Sequence, residues 1–183
     1  MILYIIIGII AIVILYVLIT RNSLIRHSNI VAEAFATMDV YLKKRWDLIP
    51  NIVATVKAHA AYEKETLESI TLLRSKSYES LSQGDKITTN ERLSTNISTL
   101  MLKAESYPQL KSDQSFLELG RQLSSTEDDI ANSRKYYNAV VKNYNNAVEM
   151  FPGNLIAGLF RFTPREMFET SSSARENVEV KLQ

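Results

Sequence analysis

Hydrophobic positions along this chain keep two different patterns. The first is a continuous run: residues 2–19 read ILYIIIGIIAIVILYVLI, without a charged or strongly polar side chain. At about 1.5 Å per helical residue such a run reaches roughly 27 Å, close to the ~30 Å hydrocarbon core of a bilayer. It predicts one transmembrane helix within residues 1–20, carried by Ile2, Leu3, Ile10, Leu15 and Ile19. A cleavable secretory signal has a basic start, a shorter apolar stretch and a small-residue cleavage site. This run instead starts straight after Met1 and ends in Ile19-Thr20-Arg21.

The second pattern alternates steps of four and three, as one face of a helix does. It passes through Val31, Phe35, Met38, Leu42, Arg45, Ile49, Ile52, Val56, His59 and Glu63, and continues through Leu67 and Ile70 to about Leu81. Pro50 falls inside this register, so it either kinks one long helix or begins a second, and the unbroken spacing favours the kink. Ser82-Gln83-Gly84-Asp85 is a turn cluster, after which Leu93, Ile97, Leu100 and Ala104 predict a helix over 89–106. That helix stops at Tyr107-Pro108, because the residue before proline is pushed out of the helical region.

Ser112 or Asp113 can cap the next helix, whose stripe is Phe116, Leu119, Leu123, Glu127, Ile130, Arg134, Tyr137, Val141, Tyr144, Val148 and Phe151. Phe151-Pro152-Gly153 ends it, a short apolar helix follows over 154–162, and residues 170–183 read as a frayed polar tail. Helices with one apolar seam each must bury those seams against one another, and short connections make neighbours antiparallel. The expected fold is all-α: a transmembrane helix (1–20), an antiparallel up-and-down four-helix bundle (21–162) and a polar C-terminal tail (163–183).

Composition narrows the function. In 183 residues, 21 Lys and Arg face 20 Asp and Glu, so no global positive field gathers nucleic acid. The absence of cysteine excludes thiol catalysis and thiolate metal sites, and five Gly with four Pro are too few for a many-stranded barrel. Lys and Arg follow the apolar run at 21, 26, 43, 44 and 45, while none precede it. The charge bias therefore puts the bundle in the cytoplasm and the short N-terminus outside.

Arg45, His59, Glu63, Glu127 and Arg134 occupy seam positions where apolar residues belong. Buried charge is tolerated when paired and hydrogen-bonded, so Arg45 is expected to meet Glu127 or Glu63, and Arg134 another carboxylate. A polar groove left open for a partner is the alternative. His59 and Glu63 stand one helical turn apart but no third ligand is visible, and Val56 sits where a ferritin-like Glu-x-x-His pair needs glutamate. No metal, cofactor or catalytic residue is therefore expected. Tyr136, Tyr137 and Tyr144, with Asn138 and Asn145, form either a peptide-binding face or core tyrosines whose hydroxyls reach polar partners. The apolar stretch 155–162 can lie on lipid or close the end of the bundle.

Three blocks of the sequence remain: the first carries Asp39, Pro50, Asn51 and Lys57; the second, Glu105, Tyr107, Pro108 and Lys111; the third, Tyr137, Asn138, Tyr144, Asn145 and Pro152. Together they resemble the LemA family of bacterial membrane proteins. Trp46 stands where the family usually has tyrosine, and Ser112-Asp113-Gln114-Ser115 replaces a more Asn-rich stretch. The resemblance implies a single-pass protein of the bacterial inner membrane with a cytoplasmic helical bundle. It supplies no activity of its own but implies membrane organisation or partnering, as with relatives associated with membrane zinc proteases; with no catalytic constellation in the sequence, the expected role is a non-enzymatic interaction or scaffold module, or an adaptor for such a protease. The expected partners are the bilayer, an unidentified membrane or cytoplasmic protein, and a second copy of the chain. A metal-dependent enzyme using the polar seam is the distant alternative.

Overall fold

The computed structural model of the chain describes residues 1–59, 64–104 and 106–168. Among these residues every regular element is a helix, with no strand. Its helices are α1 (Ile2–His59), α2 (Lys64–Leu73), α3 (Gln83–Ala104), α4 (Pro108–Ser112), α5 (Gln114–Glu149) and α6 (Gly153–Phe160), with a 3-10 turn at Tyr78–Ser80.

The apolar run and the first amphipathic seam are one helix. Nothing between Ile19 and Val31 breaks α1, and Pro50 lies inside it. Pro50 cannot donate to the carbonyl of Trp46, yet Trp46, Ile49, Ile52 and Val56 are all buried around it, and this packing offsets the lost hydrogen bond. The most apolar window of α1 is wholly unburied, so this helix is long and apolar enough to cross a membrane.

Three predicted boundaries move. The seam does not continue as helix to Leu81: α2 ends at Leu73, and residues 74–77 lead into the 3-10 turn. Helix α3 begins at Gln83 rather than near residue 89, because the turn cluster is its cap. Ser82 Oγ accepts from the Asp85 N–H at 3.1 Å and donates to the Asp85 carboxylate at 2.7 Å. Between Tyr107 and Asp113 the chain forms α4, started by Pro108 at a position where a missing N–H costs nothing, and it buries Leu110. Asp113 then caps α5, its carboxylate accepting from the Phe116 N–H at 2.9 Å.

The described chain divides into two compact units, Met1–Asp39 with Asn132–Met167, and Val40–Ala131 with Phe168. In the first, Leu24, Val31, Ala34 and Met38 of α1 are buried, as are Tyr137, Val141, Tyr144 and Val148 of α5. Phe35 meets the Tyr137 ring edge-on at 5.9 Å. At the end of α5, Phe151 is 78% exposed and not part of the stripe, and its bond to Pro152 is cis. Gly153 is required by close approach: a Cβ there would collide with the carbonyl oxygen of Ala147.

In the second unit the core is Leu42, Trp46, Ile49, Ile52 and Val56 of α1, Leu67 and Ile70 of α2, Leu93, Ile97 and Leu100 of α3, and Phe116, Leu123 and Ile130 of α5. Each fully buried aliphatic or aromatic side chain contributes about 1.5–3 kcal/mol relative to exposure.

Candidate functional site

Arg45 is the most consequential polar group of the second unit. Its place on the α1 seam leaves it 1% exposed, and its guanidinium ties α1 to two other helices. Nη1 donates to Glu127 Oε1 of α5 at 2.7 Å and to Ser94 Oγ of α3. Nη2 donates to the Asn90 carbonyl at 2.8 Å and to Asn90 Oδ1. Asn90 is itself buried and is oriented by donating from Nδ2 to the Lys86 carbonyl at 2.8 Å. Glu127 keeps 34% of its side chain exposed, so one partner of the pair remains partly solvated. Arg45 Nε has no hydrogen-bond partner. The arrangement neutralises a buried charge and ties α1 to α3 and α5.

Among the other seam residues expected to be polar and buried, Arg134 is half-buried and has interactions of its own. The His59 side chain and Glu63 lie outside the described residues, as does Glu105. No group of three metal-ligating side chains occurs among the described residues. Periodicity missed Thr126 and Asn90, which are fully interior; Thr126 satisfies its hydroxyl on the Gln122 carbonyl at 2.7 Å.

In the first unit, α5 holds an extended stretch of the chain itself. Tyr144 donates to the Thr163 carbonyl and Tyr137 to the Glu166 carbonyl, each at 3.0 Å. Asn145 clamps the backbone of Arg165 from both sides, accepting from its N–H at 2.8 Å and donating to its carbonyl at 2.9 Å. Tyr137 and Tyr144 are therefore buried tyrosines whose hydroxyls reach polar partners, and those partners are backbone carbonyls of the segment 163–166. A segment outside helix and sheet leaves its backbone groups without regular partners, and these side chains supply some of them. The start of the segment assigned to a polar tail is thus tied down. Asn138 is half-buried and Tyr136 exposed.

A concavity lies in the second unit, between α1 and α2. Its volume is about 950 Å³, and Ile49, Val53, Ala54, Leu67 and Ile70 make much of its wall. Pro50 and Lys57 also line it, which places two residues of the first sequence block on its surface. Arg74 closes one side. Its guanidinium stacks over Trp46 at 5.1 Å, its Nε is buried without a hydrogen-bond partner, and burial lowers its pKa from the ordinary arginine value. Trp46 packs in turn on Tyr78 with ring centroids 5.3 Å apart, and Lys86 sits 4.5 Å above the Tyr78 ring.

The remaining residues of the three blocks are distributed outside this groove. Asp39 is half-buried on α1 and Asn51 exposed; Tyr107 is half-buried just ahead of α4, while Pro108, Lys111 and Pro152 are exposed. Ile2, Leu3, Ile10, Leu15 and Ile19 are all more than half exposed.

Comparison with known proteins agrees with these features. The sequence model described as "LemA family" matches residues 34–182. The curated protein named "Protein LemA" from Metamycoplasma hominis (strain ATCC 23114 / DSM 25592 / NBRC 14850 / NCTC 10111 / PG21) is 24% identical over 161 residues, which cover 87% of this chain and 74% of that protein.

Proposed function

The chain belongs to the LemA family, and from that premise we propose that it is a non-enzymatic, membrane-anchored interaction module. Residues 2–19 cross the bacterial inner membrane once, the helical body stands in the cytoplasm as an antiparallel four-helix bundle, and its surface recruits or orders other proteins. The observation that carries this reading is the continuity of α1: the exposed apolar run passes without a break into the folded body. A run that continues as helix into the folded chain, with no linker between them, suits a scaffold better than a tethered diffusing enzyme. The apolar groove between α1 and α2 supports the recruiting role, because it is large enough for side chains of a partner and lined mostly by carbon. The Ser69–Asn96 hydrogen bond between α2 and α3, 3.0 Å long, is one of the contacts that joins elements of the bundle.

The test is chemical cross-linking of the full chain in native membranes, followed by mass spectrometry. Reproducible cross-links from Lys57 to one membrane or cytoplasmic protein are expected, and a membrane protease among them would make the protein its adaptor. Stoichiometric metal or hydrolase activity in the purified full-length protein would overturn the non-enzymatic reading.

A further inference from the structure

Helix α6 carries no charge, and its sequence GNLIAGLF is almost wholly apolar. One side of it is accounted for: Ile156 and Ala157 are buried in the first unit. The other side is not. Leu155 and Leu159, four residues apart and so on one face, are 63% and 69% exposed, and Met150 and Phe151 just before the helix are 63% and 78% exposed. Isolated apolar residues on a surface are ordinary, but an aligned group of this kind marks a contact face.

Its position identifies the contact. Arg21 is the first charged residue after the apolar run of α1, and its guanidinium lies 5.1 Å from the centre of the Phe160 ring at the end of α6. Both residues belong to the same compact unit. The C-terminal end of α6 therefore sits at the level where α1 leaves the hydrocarbon. Arg161, which directly follows Phe160 and closes α6 in the left-handed conformation, is a second arginine at this end and is exposed. Long cationic stems flanking an apolar face are how peripheral helices meet lipid headgroups.

We propose that α6 is an interfacial helix, lying in the surface of the bilayer that α1 crosses with Leu155, Leu159, Met150 and Phe151 immersed at the boundary between headgroups and acyl chains. A protein docked on this face would have to sit inside the headgroup layer; lipid is already there. Two membrane contacts instead of one fix the rotation of α1 about its own axis. The inference rests on the reading that residues 2–19 span the membrane.

The experiment separates the two. The full chain lacks cysteine, so an environment-sensitive fluorophore is attached to single substitutions Leu155→Cys, Leu159→Cys, Leu15→Cys and Lys142→Cys. Each is reconstituted into phosphatidylcholine–phosphatidylglycerol vesicles containing nitroxide lipids of known depth. The labels at 155 and 159 should emit blue-shifted and be quenched several-fold more by a shallow nitroxide than the label at 142, an exposed position on α5. The label at 15 should respond to the deep nitroxide. Water-like emission at 155 and 159 with deep quenching at 15 overturns the interfacial helix and leaves the span intact. A blue shift at 155 and 159 without lipid quenching also overturns it, by showing a protein cover such as a second copy. Absence of quenching at 15 rejects the span, and with it the proposal in its stated form.

Discussion

The two halves of α5 keep polar groups inside a helical protein by different means. In its first half Glu127 reaches a buried arginine, and the match is between full charges. In its second half Tyr137 and Tyr144 bury nearly all of their rings and offer neutral hydroxyls to backbone carbonyls. A neutral hydrogen bond is worth about 1 kcal/mol net and is forgiving to lose. A charge that loses its partner in the interior is not. The Arg45 cluster is therefore a point where helix register is enforced, while the tyrosine clamp is a latch on residues 163–166 that can be weakened stepwise.

The largest effect that would break this contrast is expected at Glu127. Glu127→Ala leaves Arg45 with only neutral partners and should destabilise the detergent-solubilised full chain by about 3 kcal/mol, at the lower end for a broken buried pair because Glu127 is partly solvated. The double variant Arg45→Met with Glu127→Leu should recover most of the loss. Denaturant unfolding followed by circular dichroism measures both, and a double variant no more stable than the single one would show that the pair does more than neutralise charge.

A smaller effect is expected from Tyr144→Phe, which removes one neutral bond to Thr163 and should cost about 1 kcal/mol. Its sharper signature is local: hydrogen exchange at Arg165 should quicken several-fold while exchange in α3 is unchanged. Uniform acceleration throughout would mean that the latch and the core open together.

The smallest effect is electrostatic and lies on the surface of the second unit. Ser77 Oγ donates to Glu79 at 2.5 Å, and this bond, more than the nearby Lys43 ammonium, holds the Glu79 carboxyl below the usual carboxylate range. For an acid shifted downward, the stabilisation is present above the ordinary carboxylate value and is lost as pH falls through the lower folded value. Both groups are exposed, so salt screens most of it and unfolding curves should barely move. An NMR titration reads it directly: Ser77→Ala should raise the Glu79 pKa further than Lys43→Ala does.

Much of the architecture was legible because its causes are local. Eighteen apolar residues in a row, Pro108 as the stop of the helix before it and Asp113 as a cap each depend on a few neighbouring residues, whereas α4 itself went unread. The true start of α3 was local too, but Ser82-Gln83-Gly84-Asp85 serves equally as a turn or as a cap, and the choice depended on whether Ile87 and Asn90 found an interior to enter. The groove was harder to see. Lys57 and Pro50 belong to a sequence block, but Leu67, Ile70 and Arg74 join them only through the packing of α2.

The sequence by itself determined that the chain is helical, that one helix begins with a lipid-soluble run, and that Arg45 stands on an apolar seam, since backbone sterics and the 3.6-residue period act over one or two turns. Only the tertiary structure decided that Thr126 rather than Glu127 is fully enclosed, that Asn90 and Ser94 complete the shell of Arg45, and that residues 163–166 are pinned to α5. Adjacent helical positions differ by 100° around the axis, so a seam has two edges, and the neighbour that packs against one of them selects which polar groups lose their water.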